Sequence, residues 1–350
     1  MATDASGGVS WVEPLARPLE GPVRRGVRTK ELVHRLSPGD VALIAHPDID
    51  GLAAQELAER GVVAVLDTHD AATGRIPNRG PGLLLGAGIG LVDRLGPSFW
   101  DQIREGERLR IVHGDVLRGG DLVGRGRRLT PPELDSIVDK ARQGLPDTLA
   151  DFARNTLLRA SGELDLLSWQ CPLQGYDLVP RGQACVVVAR GPGYMEDFSW
   201  VLRRLGEHAG VGLIGVDGAA DAAIAAGWRP DVIVGDMDSV SDEALRSGAT
   251  LVAHATPEGR CPGAARLQDL GLVYEVLPCR GTSIDAALLL AEAHGCDPVI
   301  SVGLLRSPLD FLEKGRPGMA SSMLVRMRLG ERLIDAGGCR SFDDITRRSL

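Results

Sequence analysis

The stretch "DVIVGDMDSV", residues 231–240, decides how the second half of this chain is read. Val232, Ile233 and Val234 form a short apolar run, Gly235 closes it, and Asp236, Asp238 and Ser239 gather around Met237. A continuous apolar run of that length, bounded by turn residues, is what a strand buried on both faces of a parallel sheet requires. Two acids one residue apart at the end of such a strand admit two readings. They bind a metal together with phosphate, or they only start the next helix.

Outward from this stretch the pattern repeats. The runs "ACVVVA", "GLIGV", "DVIVG", "TLVAHA", "LVYEVLP" and "PVISVG" read as strands, and "EDFSWVLRRLGEHAG" and "TSIDAALLLAEAHG" between them read as helices. Apolar strands alternating with helices predict a doubly wound parallel-sheet α/β domain over residues 183–340. Ligands of such sheets bind beyond the carboxyl ends of the strands. The residues following each run are therefore the candidate site: Arg190 and Gly191, then Asp217 and Gly218, then Asp236, Asp238 and Ser239, then Thr282 and Ser283. Carboxylates with phosphate oxygens suit Mg²⁺, and a guanidinium with glycine amides suits phosphate. Ser241 and Asp221 read as helix caps. Asp217, Asp236 and Asp238 on one rim repel unless a cation is present, which favours a metal role for the three together.

The first half is a second α/β region. Residues 1–30, "EPLARPLEGPVRRGVRTK" included, read as an extended arm rich in Gly, Pro and Arg. Residues 31–130 give buried strands at "DVALIAH" and "VVAVLDT" and a hairpin or meander around "RGGD". A long connector helix begins at Thr130, with Pro131 and Pro132 in its first turn and Glu133 completing a capping box. The connector region runs over 131–182, Pro146 is expected to break or kink its helix, and 341–350 reads as a tail. "GAGIGL" (86–91) fails as a dinucleotide motif because Leu91 stands where the third glycine belongs. His46, Asp48 and Asp50 read as turn and cap residues in preference to a metal cluster, while "TGRIPNRGP" (73–81) is either a rigid loop or a second ligand loop.

Composition narrows the functional classes. Across 350 residues, 47 acids against 39 Lys and Arg give a net charge of −8, which disfavours general nucleic-acid binding. The six cysteines form no C-x-x-C pair, so neither a metal ribbon nor a redox motif is supported. No leader pattern or apolar run of membrane-spanning length is visible, and the expected location is cytoplasmic.

Two resemblances add to this reading. "GVDGAAD" followed by "RPDVIVGDMDSVSDEAL" resembles the catalytic half of thiamine pyrophosphokinases. That resemblance implies that Asp217, Asp236 and Asp238 hold Mg²⁺ and ATP for pyrophosphoryl transfer to thiamine. The sequence departs from the pattern where Ser283 replaces a further acid in "GTSIDAALLLA" and where helices replace the C-terminal β-sandwich. Asp285 lies about 200° round a helix from that position and does not substitute for it.

Across residues 30–340, "HPDIDGLAAQEL", "TGRIPNRGPGLLLGAGIGLVD", "GTSIDAALLLA" and "FLEKGRPGMASSMLVRMRLGERLIDA" resemble the SteA family of cytokinetic-ring proteins. This second resemblance implies a role in bacterial cell division and daughter-cell separation, peripheral to the membrane at the division site, beside a membrane-associated partner. Three expectations stand together. One is a homo-oligomeric SteA-like protein whose kinase-like site binds Mg²⁺ with ATP or another phosphorylated ligand without turnover, so that no residue is assigned as catalytic. The second is a thiamine diphosphokinase or related phosphotransferase. The third is a scaffold whose acids are vestigial.

Overall fold

The computed structural model describes residues 18–173, 175–179, 183–206 and 210–348. Two compact units emerge: residues 1–151 with 309–316, and residues 152–308 with 317–350.

The first unit carries eight strands: β1 (Leu19–Gly26), β2 (Val41–Ile44), β3 (Ala64–Asp67), β4 (Gly90–Asp93), β5 (Arg108–Val112), β6 (Asp115–Arg118), β7 (Asp121–Arg125) and β8 (Arg127–Arg128). Their order is β7-β6-β5-β1-β2-β3-β4-β8. β1 to β4 run parallel, while β5 and β8 join them antiparallel on either side. β2, β3 and β4 are buried along their whole length, as their unbroken apolar runs require. The expected hairpin is present, with Arg118 opposite Asp121 across Gly119–Gly120. "GAGIGL" runs from a helix end into β4, the reverse of the strand-to-helix order a dinucleotide fingerprint needs.

Four expectations are corrected. Residues 19–26 of the predicted arm form β1, an interior strand between β2 and β5. Its arginines conceal it in the sequence, since only residues such as Val23 face the core, while the Arg25 guanidinium lies 4.6 Å over Trp100. The long helix spans Pro131–Ala160 without a break at Pro146, and Thr130 and Glu133 cap it as expected. That helix is no separate connector region, because the division between units falls within it, at Asp151 and Phe152. Residues 341–348 are likewise no tail; they continue the helix Ala336–Arg348.

Segment 309–316 was read as part of the second domain but belongs to the first unit. Arg79 binds Glu313 through Nε at 3.1 Å and Nη2 at 3.0 Å, and Asp310 at 2.8 Å. Lys314 meets Asp50 at 2.9 Å. Glu313 and Asp310 are each only 8% exposed, so Arg79 neutralises carboxylates that water reaches poorly.

The second unit is a seven-stranded parallel sheet made of β9 (Cys185–Val188), β10 (Gly212–Val216), β11 (Val232–Gly235), β12 (Thr250–Ala255), β13 (Glu275–Pro278), β14 (Val299–Val302) and β15 (Leu333–Asp335). The order is β13-β12-β11-β10-β9-β14-β15. From β13 at one edge the chain must return to β14 beside β9, and the helix Ser283–Ala293 makes that crossing. Residues 285–291 of this helix are all buried, which is why "DAALLLA" is apolar around its whole circumference. No β-sandwich follows β14 among the described residues; two helices, the edge strand β15 and a last helix do.

Replacing Arg79 by Ala should cost about 2 kcal/mol in denaturant unfolding, below the full value of a buried pair because Arg79 is half-exposed. Arg79→Lys should recover little of that loss, since one ammonium cannot span both carboxylates.

Candidate functional site

The carboxyl ends of β9, β10 and β11 place most of the expected residues along one rim. "DMDS" alternates in space as it does in sequence. Met237 is fully buried among Ile233, Ala244 and Leu245, which leaves Asp236 and Asp238 half-exposed beside it. Met237 has φ +61°, a left-handed conformation that costs energy for any residue but Gly.

That turn is held by Asp217, itself at φ +48°. Oδ1 of Asp217 accepts the backbone N–H of Asp236 at 2.9 Å and of Met237 at 3.3 Å. Ser283 stands near the same carboxyl and opposes the rise of its pKa. Burial raises the Asp217 carboxyl above its ordinary range, against the pull of these hydrogen bonds and with help from the Asp238 charge. Gly235 is required here: its φ is +154°, and a Cβ at that position would stand 1.8 Å from Asp217 Oδ1.

Asp236 Oδ1 accepts the Asp238 amide at 3.3 Å. Ser239, 8% exposed, accepts the Gly218 N–H at 3.1 Å, joining the turns after β10 and β11. A Cβ on Gly218 would lie 3.1 Å from Arg190 Cζ, so the guanidinium from β9 leans over a position that only glycine leaves open. Arg190, Gly218, Ser239, Asp236 and Asp238 thus form one rim. Gly191 turns instead toward the Gly303 carbonyl at the end of β14.

Thr282 and Ser283 have local work. Thr282 N-caps the helix Ser283–Ala293 in a capping box with Asp285, and Ser283 stands near Asp217. Ser241 caps its helix through the Ala244 amide at 3.0 Å, as the sequence suggested, whereas Asp221 does not cap its own helix and instead accepts the Ser241 N–H at 3.1 Å.

Two residues of this region were missed. Asp285 is 1% exposed, and its Oδ2 receives the Thr282 amide and hydroxyl, both at 2.9 Å, with Ser321 at 3.2 Å and Ser322 at 3.0 Å. The spacing T-x-x-D was the available signal for the cap, but nothing local announces the two serines. His254 on β12 directs Nε2 to the Cys279 carbonyl at 3.0 Å. Burial lowers its pKa, opposed by that bond and by the charges of Asp285 and Asp236.

Among the described residues no group of three or more His, Cys, Asp or Glu side chains could hold a metal ion. The reason is visible at Asp217, whose carboxylate faces backbone amides and Ser283 where the sequence reading assigned it to a cation. Asp236 and Asp238 do fit the smaller part that protein carboxylates play when Mg²⁺ takes most of its ligands from phosphate and water. No family model and no curated protein matches this chain. None of its six cysteines is in a disulfide, and no helix among the described residues is long and apolar enough to cross a membrane.

If Asp217 positions the loop and does not ligate metal, Asp217→Asn should fold and bind as the parent does, because the amide oxygen still accepts both N–H groups. Asp217→Ala orphans those two donors and should cost about 3 kcal/mol in denaturant unfolding. Equal loss of ligand binding in both variants, at unchanged stability, would assign Asp217 to the metal instead.

Proposed function

We propose that the second unit binds a phosphorylated ligand, Mg²⁺-nucleotide in the first instance, and does so without pyrophosphoryl transfer. The observation that carries this reading is that Asp217 accepts the backbone amides of Asp236 and Met237. Ser283 stands where the kinase pattern would supply a further acid. Arg190 would give charge-assisted hydrogen bonds to phosphate, with Ser239 beside it. Mg²⁺, when bound, would neutralise phosphate charge between Asp236 and Asp238. These two side chains are presented outward by the buried Met237 and need no rearrangement of the loop to meet it.

The resemblance to SteA proteins supports placing this binding module in bacterial cell division and cell separation. There the chain would act as a homo-oligomer, peripheral to the membrane, beside a membrane-associated partner. Its output in that setting is a conformation read by other proteins, with ligand occupancy as the input.

Titration calorimetry with Mg²⁺-ATP tests the reading. The parent chain should bind, and Asp236→Asn, Asp238→Asn and Arg190→Ala should each weaken binding about tenfold or more. AMP release should be absent with or without thiamine. Thiamine-dependent AMP that disappears in Asp236→Asn would replace this proposal with a thiamine diphosphokinase, and binding indifferent to all three substitutions would leave a scaffold.

A further inference from the structure

The strand ends of the first unit hold a carboxyl group that no role above uses. Asp67, the last residue of β3, is fully buried. Its Oδ1 accepts the backbone N–H of His46 at 3.1 Å and of His69 at 2.9 Å. One oxygen therefore ties the loop leaving β2 to the loop leaving β3. Its Oδ2 is buried with no hydrogen-bond partner among the described residues.

The neighbouring cations are engaged elsewhere. Arg127 on β8 grips Asp93 of β4 at 2.9 and 2.5 Å and reaches Asp70 at 3.6 Å. Arg94, just past β4, pairs with Asp70. His46 places Nδ1 on the Thr29 hydroxyl at 3.0 Å and Nε2 3.6 Å from Asp50, and His69 places Nδ1 on Thr68 at 3.0 Å. Asp67 thus has two anionic neighbours, Asp70 and Asp93, and among the described residues no cation within ion-pair distance. A carboxyl group in that setting keeps its proton, because an unpaired buried charge is far costlier than a neutral acid.

The two loops tied by Asp67 also hold each other. Asp48 donates its N–H to the Asp70 carbonyl at 2.9 Å and accepts the Thr73 amide and hydroxyl at 2.7 and 2.8 Å. Asn78, from "TGRIPNRGP", donates to the carbonyls of Ile49 and Ala71 at 3.1 and 3.0 Å. We propose that Asp67 is a proton-operated latch: while it carries its proton the loops after β2 and β3 close over it, and loss of that proton to solvent drives them open.

The direction with pH follows from the same surroundings. Burial pushes the Asp67 carboxyl up to about 8, with Asp93 and Asp70 adding to the rise and the His69 and His46 amides opposing it. In an opened, hydrated loop the group returns to the ordinary carboxyl range. The proton-linked stability of the closed form is therefore complete below that range, and it is lost as pH rises until the closed form itself ionises near 8.

Hydrogen exchange of the full chain, with each rate divided by the intrinsic chemical rate at that pH, reads the latch at residues 45–50 and 68–73. Opening in the parent chain should grow by up to about tenfold per pH unit and level off near pH 8, as release of one proton requires. Asp67→Asn keeps an oxygen for the two amides and cannot ionise, so its corrected rates should be flat with pH. The same slope in both proteins, or none in the parent, would overturn the proposal. Should the variant fail to fold, carboxyl-carbon NMR of the parent decides the matter. A resonance of Asp67 titrating far above the ordinary carboxylate range supports the latch, and one titrating within that range refutes it.

Discussion

The Asp217 carboxylate joins two neighbouring strand ends of the second unit, and the rest of the rim follows from that bond set. By accepting the amides of Asp236 and Met237 it holds Met237 in a left-handed conformation that is costly for a residue with a side chain. That turn sinks Met237 into the core and leaves the two flanking acids outside. The close approach of the carboxylate excludes any side chain at residue 235, so the glycine and the acid are one device. A residue that reads in sequence as a ligand to a cation thus also supports the loop that carries Asp236 and Asp238.

The crossover helix completes this arrangement. A parallel sheet grown outward from β9 to β13 must send its chain back beneath the strands to reach β14. The returning helix is therefore buried all round, and its first turn arrives under the rim. Ser283 meets Asp217 there, and Asp285 collects Thr282, Ser321 and Ser322. The serine pair comes from a segment nearly forty residues on, so the C-terminal helices take part in holding the helix start in place.

In the first unit the same economy of charge recurs with a different result. Arg79 satisfies two buried carboxylates brought from residues 309–316, and Arg127 and Arg94 satisfy Asp93 and Asp70. Asp67 lies among these pairs without a cation of its own among the described residues. Where guanidinium and carboxylate match, the contact is structural. Where one acid is left over, the site answers to protons.

Much of this was legible in the chain itself. Period and run length located most strands of the two sheets, because a strand buried on two faces must be apolar throughout, as "VIV" and "VVV" are. The caps at Thr130, Ser241 and Asp50 were legible too, since capping depends on residues two or three positions away. Sequence also located the rim, because strand ends follow from strands. It did not show that residues 19–26 are an interior strand, that 309–316 belong with the first unit, or that Asp217 faces amides. Those outcomes rest on partners far off in the chain: Trp100 under Arg25, Glu313 against Arg79, Ser283 beside Asp217. Short-range chemistry is written in neighbouring residues, whereas the pairing of a buried charge is decided only when the fold brings its partner within about 3 Å.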